Sequence, residues 1–134
     1  MRKNAREAVY KLLFSNLFND KFDDSFKNFI YEEEKLTEED KAFANEILDA
    51  FYANEAEVNE IITNLAKGYK LERIFTTDKC ALQIAITEMT YLKNIPYIVS
   101  ISEAMELIRQ YSTEESPNFV NGILAEYKKR LENN

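Results

Sequence analysis

Apolar residues recur at three- and four-residue spacing along nearly the whole chain, a pattern of amphipathic helices. Ala5, Ala8, Val9, Leu12 and Leu13 form one stripe and predict a first helix from about Lys3 to Phe18. Asn19-Asp20 breaks it, with Asp20 as a cap. A second helix follows over Lys21 to Glu33, with Phe22, Phe26, Phe29 and Ile30 as its stripe. Glu32-Glu33-Glu34 stands where the helix dipole disfavours anions, so this end is expected to fray. Thr37 before Glu38-Glu39-Asp40 is a start signal for a third helix, to about Ala53, burying Phe43, Ile47, Leu48 and Phe51. Asn54 marks a kink or a new cap. A fourth helix then carries Val58, Ile61, Ile62 and Leu65, with Gly68 expected in the left-handed conformation just past its end.

The second half continues the pattern. Tyr69 to Thr76 reads as a connector pinned to the core by Leu71, Ile74 and Phe75. Thr77 or Asp78 is expected to cap a fifth helix, Lys79 to Leu92, which is apolar nearly all round and therefore central. Asn94-Ile95-Pro96 ends it. A sixth helix spans Tyr97 to Tyr111. Ser116 is expected to cap a seventh that holds Pro117 in its first turn and ends at Lys128-Lys129-Arg130. Asn121-Gly122 is unusual inside a helix. Close helix packing at Gly122 is the expected cause, with Asn121 bonded to a neighbouring loop. The expected fold is all-α, a compact bundle of about seven helices forming one domain, with helical halves at about 1–68 and 69–134.

Composition narrows the function. With 134 residues, 46% hydrophobic and only two Gly and two Pro, the chain can bury one core. No apolar run reaches membrane-span length, and the basic start lacks the apolar segment of a signal peptide. The lone Cys80 lies in an apolar stretch, which fits a core thiol in a reduced, cytoplasmic setting. There is no histidine, so His general bases and His metal sites are excluded, and no enzyme is expected. Glu103 with Glu106, and Glu32 to Glu34, read as solvated helix faces rather than metal or acid/base sites. Net charge is −7, yet residues 20–60 hold 14 acids against 4 bases. The acidity is local, leaving room for a basic face elsewhere.

Such a face starts at the first helix. Lys3, Arg6, Tyr10 and Phe14 fall beside its buried stripe, mixing cations for phosphates with rings that can stack on bases. Tyr10 and Phe14 fit a core rim equally well.

Four segments carry a family resemblance: Ala5-Arg6-Glu7-Ala8 with Leu13; Asp78 to Ala85; Ile95-Pro96-Tyr97 leading to Ile101 through Leu107; and Phe119-Val120-Asn121-Gly122-Ile123-Leu124. In this order and separation the chain resembles the NusB family of bacterial transcription antitermination factors. The resemblance implies a non-enzymatic RNA-binding role without a cofactor. Its implied partners are boxA-type RNA, the ribosomal protein NusE and the elongation complex with RNA polymerase, in support of ribosomal RNA transcription. It assigns RNA contact to Arg2, Lys3, Arg6, Phe14 and Glu115, the last reading equally as an ordinary loop or helix-start acid, with Phe119 as the next candidate for a stacking ring and core packing its alternative. Asp78 aligns with an acid that contacts NusE, beside its reading as a cap. Phe14 replaces a common Tyr, Gln83 a common Arg and Ser102 a common Asn. A related domain is fused to RNA cytosine methyltransferases, but this chain has no Gly-rich cofactor motif. The competing reading is a helical protein–protein interaction module without RNA binding, which the net negative charge favours.

Overall fold

The computed structural model describes residues 2–16 and 23–133. In chain order it contains α1 (Arg2–Ser15), α2 (Asp24–Glu33), α3 (Glu38–Ala53), α4 (Glu55–Leu65), a 3₁₀ turn at Leu71–Arg73, α5 (Thr76–Tyr91), α6 (Tyr97–Tyr111) and α7 (Ser116–Glu132). No strand occurs among the described residues, as the periodicity predicts. The expected end of helix 1 at Phe18, the Asp20 cap, and Lys21 and Phe22 in helix 2 lie outside the described residues.

Local chemistry sets the helix ends. Thr37 and Asp40 form a reciprocal capping box that starts α3. Asn54 both ends α3 and starts α4. The end of α2 is not frayed. Lys35 adopts φ +57°, and the amides of Lys35 and Leu36 donate back to the carbonyls of Glu32 and Tyr31. This closure satisfies carbonyls the helix leaves open, and Leu36 is buried behind it. After α4 the left-handed stretch begins one residue early, at Lys67 (φ +44°), and continues through Gly68 (φ +92°).

α5 starts at Thr76, ahead of the predicted start. The amide of Lys79 donates to the carbonyl of Phe75 at 2.8 Å, so Thr77 and Asp78 lie inside the first turn and neither caps it. α5 packs against α1, α3, α4, α6 and α7, and every residue from Cys80 to Met89 is buried. Helices of both halves feed one hydrophobic cluster, from Leu12 and Ile47 to Ile62, Leu82, Ile108 and Leu124. Burial of this kind contributes about 1.5–3 kcal/mol for each large apolar side chain.

Polar ties also join the packed helices. Arg6 of α1 donates to both oxygens of Glu88 of α5, at 2.7 and 2.8 Å, and Ser100 of α6 donates to the same carboxylate at 2.8 Å. Gln83 donates to Asn59 at 3.0 Å, joining α5 to α4 where the family commonly has Arg. Gly122 and Asn121 are exposed, and a Cβ on Gly122 would meet nothing within 4 Å. The expectations of close helix packing there and of an Asn121 tie to a loop are therefore corrected, and among the described residues nothing requires glycine at that position.

Candidate nucleic-acid interface

The connector after α4 is where charge and aromatic surface meet. Lys67, Lys70 and Arg73 are exposed, with Tyr69 and Phe75 between and beyond them. Ile74 is buried and Leu71 partly so, as the sequence predicts. Phe75 does not pin the segment: it is 59% exposed. The 3₁₀ turn accounts for this, because it carries Leu71 and Ile74 inward and leaves Arg73 and Phe75 facing out.

Opposite the connector stands the start of α7. Together they form a groove of about 260 Å³, lined by Tyr69, Arg73, Ile74, Phe75, Asp78, Thr113, Glu115, Ser116 and Phe119. Tyr69 and Phe119 meet edge to face across it, with ring centroids 5.6 Å apart. Three aromatic rings and a guanidinium around one opening can stack bases and hold a phosphate. The exposed Glu115 can accept from a base amino group.

Asp78 holds the floor. It is 2% exposed and accepts from Ser112 at 2.6 Å and from Ser116 at 2.9 Å. Thr77 lies 2.9 Å from the Ser112 hydroxyl and Thr113 2.9 Å from that of Ser116. The Asp78 carboxylate is thus enclosed by the loop hydroxyls and forms part of the groove lining.

The first helix divides differently from its sequence reading. Arg6 is 3% exposed, and its guanidinium is taken up by Glu88 and, at 3.4 Å, by Glu103. The guanidinium is thus engaged inside the core and does not line the groove. Tyr10 is buried, donates to the carbonyl of Thr77 at 3.1 Å and stacks on Tyr111 at 5.2 Å, so it belongs to the core rim. Arg2 is exposed with its guanidinium 4.3 Å over the Phe43 ring, and Lys3 is exposed beside Glu103 and Glu106 of α6. Phe14 is exposed at 37%. Of the predicted residues, the groove brings together Glu115, Phe119 and the edge of Asp78. Arg2, Lys3 and Phe14 do not line it.

Sequence reasoning missed Tyr69, Arg73 and Phe75. The signal was present as cations interleaved with aromatics over residues 67–75, a stretch assigned to core packing. The basic tail is partly neutralised, since Lys128 pairs with Glu132 and Arg130 with Glu126. Burial of Cys80 pushes its thiol up to about 12, as fits a core thiol. Among the described residues no acid or thiol cluster could hold a metal ion, and no helix is long and apolar enough to cross a membrane.

Comparison with known proteins agrees with this architecture. The chain is 38% identical to the transcription antitermination protein NusB of Alkaliphilus oremlandii over 126 residues, covering 94% of this chain and 91% of that one. The NusB of Bacillus cereus is 32% identical over 130 residues, covering 97% and 95%. NusB of T. maritima superposes with a TM-score of 0.85 at 31% identity, covering 96% of this chain and 91% of that one. A solved structure of antitermination factors NusB and NusE in complex with dsRNA shares the fold, with a TM-score of 0.86 at 21% identity and 96% of each chain covered. The family model for NusB matches residues 3–129, and the chain belongs to the NusB family.

Proposed function

We propose that this protein is a transcription antitermination factor that binds boxA-type RNA together with the ribosomal protein NusE, within the elongation complex of RNA polymerase and in support of ribosomal RNA transcription. The observation that carries the reading is the groove itself: Tyr69, Phe75 and Phe119 surround one opening with Arg73 at its edge. Bases from a single strand stack on such rings, and the flanking Lys67, Lys70 and Arg73 neutralise its phosphates. Family membership supports the role, and the related fold solved with NusE and dsRNA supports both partners. Arg2 and Lys3 add exposed charge at the far end of α1 and supply a second, weaker phosphate contact.

The test is a fluorescence-anisotropy titration of boxA-type RNA with and without purified NusE. RNA binding is expected to tighten when NusE is present and to weaken with salt. Charge reversal at Arg2 and Lys3 is expected to lower affinity modestly, and reversal at Lys70 and Arg73 more strongly. Failure of the wild-type protein to bind this RNA in either condition overturns the reading and leaves the helical interaction module, which the net charge of −7 favours.

A further inference from the structure

The loop between α6 and α7 presents Glu115 and leads into Phe119, and inside it the Ser116 hydroxyl lies 2.9 Å from the hydroxyls of Ser112 and Thr113. Within it, the amide of Ser116 donates to the Thr113 carbonyl at 3.3 Å. The stronger hold comes from outside, from α5. Each serine hydroxyl has one proton. Ser112 gives its proton to one oxygen of Asp78 and Ser116 gives its proton to the other. Thr77 and Thr113 are then left to donate to Ser112 and Ser116. Four hydroxyls thus point, directly or through one relay, at a single carboxylate. Ser116 is also the first residue of α7, one past the cap position, which Glu115 holds in place of the Ser116 cap expected from the sequence.

We infer that Asp78 is the positioning residue of the groove: by clamping Ser112 and Ser116 it fixes Glu115 and Phe119 opposite Tyr69 and Phe75. The inference rests on the RNA-binding reading for its consequence, though not for its geometry. Asp78 makes no RNA contact in this scheme. It acts by pre-organisation, so that the loop is already ordered when RNA arrives. Its anchor is rigid because α5 is enclosed by five other helices.

The experiment has two arms. In the first, amide hydrogen exchange is measured on the protein without RNA, comparing wild type with Asp78→Asn, which keeps the shape of the side chain. Exchange over residues 112–120 is expected to rise roughly tenfold or more while α1 and α3 stay protected. Ser112→Ala removes one of the two clamp bonds from the loop side and is expected to give the same pattern more weakly, should Asp78→Asn loosen the whole core. Unchanged exchange in the loop in both variants overturns the inference. In the second arm, RNA affinity is measured in a double-mutant cycle with Phe119→Ala. Asp78→Asn alone is expected to weaken binding roughly tenfold with an unchanged salt slope, since no phosphate contact is lost. In the Phe119→Ala background the further loss is expected to shrink towards none. Fully additive losses, or a reduced salt slope, overturn it. If the wild type binds no RNA, the proposed function fails, and the exchange arm alone decides whether Asp78 holds the loop.

Discussion

Arg6 and Glu88 meet in the core as a two-point ion pair, with Nε and one terminal nitrogen 2.7 and 2.8 Å from the two carboxylate oxygens. Both side chains are closed to solvent, and Ser100 completes the carboxylate's hydrogen bonding. Desolvating two charges is costly, and the fork geometry together with the third donor offsets that cost. Removing one partner leaves the other buried and unpaired. Arg6→Ala is expected to destabilise the fold by about 3–5 kcal/mol, and Arg6→Lys by less but clearly, because one ammonium cannot span both oxygens. Urea unfolding of each variant checks this. A loss under about 1 kcal/mol for Arg6→Ala would show that the pair adds little to the core.

Tyr69 and Phe75 are more than half exposed, so their truncation is expected to cost RNA affinity and not stability. Tyr69→Ala and Phe75→Ala should each weaken binding by about 1–3 kcal/mol while the thermal midpoint barely moves. Arg73→Ala should also lower the slope of log affinity against log salt by about 1. Equal affinity for wild type and the Tyr69→Ala, Phe75→Ala double variant would remove these rings from the binding surface.

Lys67 and Gly68 stand consecutively in the left-handed region. There is space around Gly68, so a substitution there meets backbone strain and no clash. Gly68→Ala is expected to cost about 1 kcal/mol and Lys67→Gly to gain a few tenths, a pairing that a purely steric account would not give. Denaturant midpoints at constant slope measure both.

The pH dependence follows from groups that burial holds neutral. Desolvation pushes Cys80 up to about 12 from 9.0, and burial followed by the charge of Asp49 pushes Tyr31 up to about 12 from 10.0. Raised values mean the folded state resists ionisation. The stability these groups contribute is therefore complete below their unfolded values and is lost as pH rises from about 9 towards 12. Unfolding midpoints measured across this range are expected to fall steadily on the alkaline side. Thiol alkylation of the native protein near neutral pH should be slow, because the Cys80 thiol is both buried and protonated. Rapid alkylation under those conditions would contradict the enclosed site.

Most of the helical layout was legible because the 3.6-residue period survives along the chain, and Thr37, Asn54 and Pro96 punctuate it with familiar end chemistry. The site was legible only in part. Glu115 and Phe119 came from motif resemblance, as did Asp78, whose hydrogen bonds to Ser112 and Ser116 join residues 34 and 38 positions apart and have no local signature. Arg6 looked like a surface cation because its counter-ion lies 82 residues away, and no local spacing reveals a pair across two helices. Tyr69, Arg73 and Phe75 were hidden by the opposite error. Apolar neighbours made the connector look like core filler, and only the turn geometry decides which of its side chains face water.

The placement of α5 carries a consequence for how the molecule comes apart. A helix shared by five neighbours leaves neither end of the chain with a hydrophobic centre of its own. Unfolding should then run as one cooperative event, and a fragment ending near Gly68 would expose the faces of α1, α3 and α4 that α5 covers. The groove is assembled from stretches on both sides of that helix, so the arrangement of its rings is expected to be lost together with the fold.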